Sequence, residues 1–229
     1  GDAMLGLALD EPPKGWKLGT PETVKPATAA LLAGASARLE IEAGSAAWLT
    51  NSTLPQSEDG TILITATARE GADDDAISDV SDTAITYHPP VLALGVGCER
   101  GCPIDDLYDL VTETLAGQCL SPKAIACVTS IDLKADEACV HELARRLSVP
   151  ARFFDAQTLE AETDRLVTPS DVVFAETGCH GVAEGAALAT VGPNGKLIVP
   201  KHKTKRATCA VALSQDDISP ETVGKAQGK

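Results

Sequence analysis

The hydrophobic and polar positions after residue 90 alternate between short apolar runs and segments with helical spacing. The apolar runs at 91–96 and 124–130 are typical of strands buried on both faces of a parallel sheet. Between them, apolar residues recur at helical spacing over 104–115. The pattern predicts further elements in chain order: a helix that Asp136 caps and Pro150 ends, a strand at 151–154, a helix at 181–190, and strands at 196–200 and 207–213. This alternation predicts a three-layer α/β domain.

The first 90 residues carry weaker patterns. A helix starts at Pro21 or at Pro26 and ends near Gly34. Short β-like runs follow at 37–41, 61–67 and 83–87, with an acidic loop at 69–79 before the last. Because consecutive prolines end regular structure, Pro89 and Pro90 mark a boundary. The sequence predicts three parts: a smaller α/β domain at 1–90, a second domain at 91–214, and a polar linker tail at 215–229.

Composition and charge narrow the function classes. The 229 residues include 33 Asp and Glu against 19 Lys and Arg, a formal net charge of −14. This balance argues against nucleic acid and anionic membrane surfaces as partners. No apolar run is long enough for a membrane span. The seven cysteines form no C-x-x-C pair, so we expect no metal site. We expect these cysteines to be free thiols in a reducing cytoplasm. The chain opens on Gly1 within a segment typical of a domain interior, so we expect a piece of a longer protein.

A glycine-rich segment, Gly95 to Gly101, is placed between a predicted strand and a predicted helix. Glycines allow a ligand to approach the main chain, and ligands of open α/β sheets bind beyond the carboxyl ends of strands. The spacing is neither a dinucleotide fingerprint nor a P-loop, which disfavours a nucleotide. A tight strand-to-helix turn without a ligand is an equally good interpretation.

The segment 130–137 also joins a predicted strand to a predicted helix. It places a hydroxyl, an ammonium and three carboxylates at the same sheet edge as the glycine segment. A lysine between acids can orient a carboxylate for general-base work. A solvated, capped helix start is the alternative.

A third segment of small and polar residues, 176–181, precedes the helix predicted at 181–190 and contains Cys179 and His180. Adjacent residues point in different directions, so a catalytic Cys/His dyad is disfavoured and a helix-entry loop is preferred.

Basic residues cluster between 196 and 206 in this otherwise acidic chain. On a strand, Lys201, Lys203 and Lys205 share a face, which makes a receptor for carboxylates or phosphates. Lysines that protect an edge strand are the alternative.

Five segments together resemble one family, the cobalt-precorrin-5A hydrolases (cobalamin-biosynthesis protein G), and their stand-alone relative, cobalamin-biosynthesis protein E. The segments, in the family's order, are LGVGCERGCPIDDL at 94–107, SIDLKADE at 130–137, RFFDAQTL at 152–159, ETGCHGVAEGAAL at 176–188 and LIVPKHKTKRATCAVA at 197–212. Residues 3–90 resemble the family's central region. Two departures are Cys102, where the family has Thr or Ser, and the missing N-terminal domain of the full-length hydrolases.

The resemblance implies a tetrapyrrole substrate: the enzyme opens the lactone of cobalt-precorrin-5A, releases acetaldehyde and gives cobalt-precorrin-5B. A non-catalytic corrinoid carrier is the alternative, and the end of the chain resembles a junction to a pathway methyltransferase. No cofactor is expected, since cobalt belongs to the substrate. The expected ligand-binding residues are Gly95, Gly97, Cys98, Arg100, Gly101, Ser130, Thr177, Gly178, Glu184, Lys201 and Lys203. The expected catalytic residues are Asp132, Lys134 and Glu137.

Overall fold

The structure, a computed structural model, describes residues 6–70 and 83–219. Most of the predicted acidic loop at 69–79 and residues 220–229 of the predicted tail lie outside the described residues. Internal contacts divide the chain into two units: unit 1 comprises Gly1–Pro90 and Cys119–Ala124, and unit 2 comprises Val91–Gln118 and Ile125–Lys229. Among the described residues, no helix combines the length and the apolar character that crossing a membrane requires.

Unit 1 is a four-stranded mixed sheet with one main helix. Its elements are β1 (Lys17–Leu18), α1 (Val24–Leu32), β2 (Ala37–Ile41), α2 (Ala47–Thr50), β3 (Ile62–Ala66) and β4 (Ile85–His88). The strand order is β1-β4-β3-β2, with β2, β3 and β4 parallel and β1 antiparallel to β4. Tyr87 is fully buried in this core, and its hydroxyl donates to the Leu9 carbonyl at 2.6 Å.

Helix α1 starts between the two positions, Pro21 and Pro26, that the sequence left open. A 3₁₀ turn at Pro21–Thr23 leads directly into α1, which starts at Val24. Pro26 therefore lies in the first turn, where a missing N–H costs no intrahelical hydrogen bond. Gly34, with φ of 103°, follows the helix end as predicted.

Unit 2 is a five-stranded mixed sheet with helices between its strands. Its elements are β5 (Leu92–Cys98), α3 (Ile104–Gly117), β6 (Ile125–Ile131), α4 (Ala138–Leu147), β7 (Ala151–Phe154), α5 (Ala156–Glu160), α6 (Asp171–Thr177), α7 (Val182–Val191), β8 (Lys196–Lys203) and β9 (Ala207–Leu213). The order is β7-β6-β5-β9-β8; β5, β6 and β7 are parallel, and β9 is antiparallel to both β5 and β8. The carboxyl ends of β5, β6 and β8 therefore lie at one edge of the sheet.

The predicted three-layer α/β architecture is confirmed, because α3 and α7 cover opposite faces of this sheet. Neighbouring residues of a strand point to opposite faces. Cys209 on β9 contacts Thr114 of α3, with the thiol 3.4 Å from the hydroxyl. The other face carries Gly95 of β5, which packs against Ala183 of α7. Apolar residues on both faces of β5 are consequently buried, as the continuous apolar run predicted.

Three local predictions in unit 2 are wrong at their boundaries. Asp136 does not cap α4; Glu137 occupies the N-cap position, and the Asp136 carboxylate binds Arg100. The predicted loop at 176–181 begins inside α6, a helix that Ser170 caps by accepting from the Val173 N–H. Strand β8 continues to Lys203, past the predicted end at 200, because Pro200 lies on an edge strand, where a missing N–H is tolerated.

Candidate functional site

Two loops meet where the neighbouring parallel strands β5 and β6 end. Arg100 follows β5, and its Nη1 lies 2.6 Å from Asp136 Oδ1 and 2.9 Å from Glu137 Oε1. Its Nη2 donates to the Leu133 carbonyl at 2.8 Å. The sequence prediction that the segments 95–101 and 130–137 share a sheet edge matches this geometry. We call the exposed surface around these loops, the start of α7 and the β8–β9 turn the strand-end surface.

Glu137 and Asp132 play different structural parts in these loops. Glu137 is 6% exposed, and it accepts from Arg100 and from the Gly101 N–H at 3.2 Å. Asp132 starts a 3₁₀ turn directly after β6 and is exposed, and within the described residues no hydrogen bond or ion pair engages its carboxylate. Lys134 ends the same turn and is half-buried. Of the two carboxylates predicted to be catalytic, Asp132 is the one that a ligand can reach.

The glycines at 95 and 97 lie within β5, not in the loop after it. Strand β5 runs to Cys98, so the prediction that the glycine loop begins at Gly95 is wrong. A Cβ atom on Gly95 would overlap the Ala183 carbonyl oxygen, and one on Gly97 would lie 2.7 Å from the Thr208 hydroxyl oxygen. Close packing of α7 and β9 against β5 therefore explains both glycines. The loop itself contains Gly101, whose φ of 67° favours glycine.

The end of β5 also carries a thiol cluster. The Cys98 Sγ lies 3.6 Å from the Cys139 Sγ, at the start of α4. The pKa of Cys98 is raised to about 12, mainly by burial and secondly by the proximity of Cys139. Ser130, predicted to bind ligand, is instead fully buried in β6, and its hydroxyl donates to the Val96 carbonyl at 2.7 Å. No sequence pattern points to Cys139, since 40 residues of intervening chain separate it from Cys98.

Glu184, in the first turn of α7, binds two segments of the strand-end surface: the backbone at 167–168 and strand β8 at Lys201. Its carboxylate accepts from the N–H groups of Val167, Thr168 and Lys201 at 2.8, 3.1 and 2.8 Å, and from the Thr168 hydroxyl at 2.9 Å. Burial alone would raise the pKa of Glu184, but the hydrogen bonds, led by those from Lys201 and Thr168, hold it below its ordinary value. The side chain is 2% exposed, so it acts on a ligand only by positioning those segments.

The turn between α6 and α7 has no Cys/His dyad. Cys179 is fully buried, and the Thr177 hydroxyl donates to the Val173 carbonyl at 2.8 Å. The His180 ring lies 2.9 Å from Glu160 and stacks on Phe174 at a centroid distance of 4.5 Å. Gly178, with φ of 81°, ends α6. These contacts agree with the preferred interpretation of this segment as a helix-entry loop.

The basic residues of β8 are distributed over its whole length. Lys196 begins the strand, so it lies at the opposite edge of the sheet from Lys203, about 23 Å away at the rise of an extended chain. Lys201 and Lys203 lie at the strand-end surface, whereas Lys205 follows the end of β8, so the predicted shared face does not include it. Arg206 adds a further guanidinium there, which lies 3.7 Å from carboxylate oxygens of Glu99 and Asp106. Its carbonyl accepts from the Glu99 N–H at 2.9 Å.

Exposed apolar side chains accompany this charge. Within the described part of unit 2, the large exposed hydrophobic residues are Leu133, Val167, Val172 and Phe174. Leu133 follows β6, and the other three precede α7, on the segment whose start Glu184 holds. Val172 is 70% exposed. The sequence prediction missed this group, because single apolar residues in irregular segments follow no period.

Comparison with known proteins identifies the fold that carries this surface. The family model described as "Cobalamin synthesis G C-terminus" matches residues 92–212, more than half of the chain. The chain belongs to this family. Its role is therefore in cobalamin biosynthesis, and the predicted resemblance is confirmed for the family and for the CobE-like character of unit 2.

Individual relatives agree with the family match. Protein CobE of Sinorhizobium sp. is 47% identical over 121 residues, which cover 53% of this chain and 79% of that protein. The cobalt-precorrin-5A hydrolase of Priestia megaterium is 33% identical over 134 residues, which cover 58% of this chain and 35% of the hydrolase. The crystal structure of CobE, a protein from the cobalamin (vitamin B12) biosynthetic pathway, covers 54% of this chain and 89% of its own, with 37% identity and a TM-score of 0.51.

Proposed function

We propose that the strand-end surface binds a cobalt-corrinoid intermediate and that the chain takes part in opening the lactone of cobalt-precorrin-5A, with release of acetaldehyde. The observation that carries the proposal is the meeting of Lys201, Lys203 and Arg206 with exposed apolar side chains at one sheet edge. The similarity to a cobalt-precorrin-5A hydrolase supports the choice of substrate.

The chemistry of the ligand fits both halves of this surface. A corrinoid intermediate has a broad apolar macrocycle fringed by acetate and propionate carboxylates. Lysine ammonium and arginine guanidinium groups pair with such carboxylates. When a macrocycle face covers exposed apolar side chains, including Phe174 and Val172, the burial of their surface favours binding. The loop after β5 offers its backbone at Gly101 for close approach.

The reaction needs a group that activates water. Asp132 is the best candidate in the described chain, because its carboxylate is exposed at the end of β6 and is not already engaged. In the proposed step, Asp132 takes a proton from water as the oxygen attacks the lactone carbonyl. The ester C–O bond breaks and leaves an alkoxide on the two-carbon fragment. This alkoxide becomes the carbonyl of acetaldehyde as the C–C bond to the macrocycle breaks, and the macrocycle carbon keeps the electron pair and takes up the proton held by Asp132. Lys134, two residues away, supplies positive charge near the developing oxyanion.

Charge reversal at Lys203 is expected to weaken corrinoid binding about tenfold, because an attractive contact with a ligand carboxylate becomes repulsive. A spectral titration of the Lys203→Glu variant with a cobalt-corrinoid acid measures this change. Lys196→Glu is the matched control, since it makes the same change on the same strand at the opposite edge. Equal loss of affinity in both variants, or no spectral shift in the unmodified chain, would contradict the proposed site.

Replacement of Asp132 by asparagine is expected to slow acetaldehyde release from cobalt-precorrin-5A about 100-fold and to leave corrinoid affinity unchanged. Asp109→Asn, an exposed substitution on α3, is the control and should release acetaldehyde at the original rate. Unchanged release from Asp132→Asn would remove Asp132 from the mechanism.

A corrinoid carrier is the second candidate function. One observation favours it: Glu137 and Glu184 are buried and hydrogen-bonded, so neither carboxylate is free to act on a ligand. A carrier shares the binding surface but needs no general base. Corrinoid binding without acetaldehyde release would select the carrier.

A further inference from the structure

Two thiols and a carboxylate converge beneath the strand-end surface. Cys98 is the last residue of β5, while Glu137 and Cys139 lie at the N-terminus of α4. Their potential ligand atoms all lie within 4.8 Å of one another. Both Glu137 and Cys139 are buried, and Cys98 is half-buried. The proposed corrinoid chemistry uses none of these three groups to form or break a bond, so the cluster calls for a separate explanation.

We propose that Cys98, Glu137 and Cys139 form a binding site for a thiophilic divalent cation of the zinc class. Two thiolate sulfurs bound about 2.3 Å from a tetrahedral zinc ion lie about 3.8 Å apart. The sulfurs of Cys98 and Cys139 are 3.6 Å apart, which matches that separation without movement of the backbone. The inference goes beyond the proposed function and does not depend on it, because it concerns only groups of this chain and a metal ion.

The carboxylate of the proposed site is already oriented. Arg100 donates to Glu137 Oε1 at 2.9 Å, and the Gly101 N–H donates to Oε2 at 3.2 Å. Each carboxylate oxygen has two lone pairs, so each keeps one for a cation. Hydrogen bonds of this kind to a ligating group fix its orientation and contribute to metal affinity.

The charges of the site also suit a divalent cation. Two thiolates and the carboxylates of Glu137 and Asp136 carry four negative charges. A divalent ion, the Arg100 guanidinium and the nearby Lys134 ammonium supply four positive charges. Cys139 lies in the first turn of α4, where the helix dipole stabilises a thiolate. Soft thiolate ligands select zinc-class ions over magnesium or calcium, which prefer oxygen.

A site with three protein ligands leaves a fourth position for water or another donor. Cys102, which is 6% exposed, lies beside Cys139.

Cobalt(II) alone is a suitable probe, since its thiolate complexes absorb strongly in the near ultraviolet. The purified 229-residue chain is reduced with a phosphine, stripped with a chelator, desalted and titrated with the ion. We expect one cobalt ion per chain, displaced by zinc. Cys98→Ser and Cys139→Ser should each lower cobalt affinity about 100-fold or more. Loss of a hydrogen-bond partner of a metal ligand already costs up to about 100-fold, and these variants lose a ligand itself. Cys209→Ser, a buried cysteine on β9, is the matched control and should bind cobalt normally.

The possible results separate the proposal from its alternatives. A saturable thiolate band that disappears in Cys98→Ser and in Cys139→Ser but not in the control supports it. Far-ultraviolet circular dichroism monitors folding, and the half-buried Cys98 carries the test if Cys139→Ser fails to fold. No saturable band in the reduced chain, or a band that persists in both variants, overturns it. If the reduced chain gives no band and air oxidation consumes two thiols only while Cys139 is present, the pair forms a disulfide instead.

Discussion

Replacement of Glu184 by glutamine is expected to lower the free energy of unfolding by about 3 kcal/mol, because four donors converge on a buried carboxylate and a glutamine amide offers one oxygen in place of two. The new NH₂ group must face an N–H or O–H donor, which leaves buried polar groups unpaired. Urea denaturation of the variant measures the loss. Glu113→Gln, an exposed substitution on α3, is the control and should change stability by no more than about 0.5 kcal/mol.

The same substitution has a pH signature. The folded-state pKa of Glu184 lies below its ordinary value, so the carboxylate's contribution to stability is present above the unfolded-state pKa of about 4.3 and is lost as pH falls through the folded-state pKa. The difference in stability between the original chain and Glu184→Gln should therefore narrow below about pH 4. A difference that stays constant across this range would contradict the ionised, hydrogen-bonded carboxylate.

Replacement of Gly95 by alanine is expected to cost about 3 kcal/mol or more, because the new methyl group would overlap a backbone oxygen of α7. A backbone atom in a helix moves only if the helix moves, so α7 must shift away from the sheet and the packing of both is lost. Thermal unfolding followed by circular dichroism measures the effect.

Gly117→Ala is the matched control, since a Cβ atom at the end of α3 meets no atom within 4 Å. It should leave the melting temperature unchanged or raise it slightly, because alanine favours a helix over glycine. A Gly95→Ala chain as stable as Gly117→Ala would show that α7 does not pack closely against β5, which would also undermine the layer arrangement of unit 2.

Much of the fold could be predicted from local patterns. The strands β5, β6 and β9 are continuous apolar runs, and α3 has strict helical spacing. The pattern of apolar residues in the sequence therefore matches the burial observed in these elements. The short helix α6 was missed, because its exposed Val172 and Phe174 produce no amphipathic pattern. Local periodicity reports burial, and it fails where an element is neither buried nor long.

The candidate site could be predicted less well, since side-chain contacts between distant segments decide it. Strand order and the segments at 95–101 and 130–137 indicated a shared edge, yet nothing in the spacing pairs Arg100 with Glu137 or Cys98 with Cys139. Gly95 was assigned to a loop because a glycine fits a turn and a close helix contact equally well in sequence. Only the packing of α7 distinguishes the two.

The position of β8 at the border of the sheet bears on how copies of this chain behave together. A strand at the border of a sheet has one side without a partner strand, and a second chain can add its own strand there. Pro200 has no N–H to donate, the pairing of β8 with β9 shifts between Val199 and His202, and lysines occupy both ends of the strand. Each of these features opposes strand addition. Self-association through this border is therefore disfavoured, even at the high protein concentrations that ligand and metal titrations require.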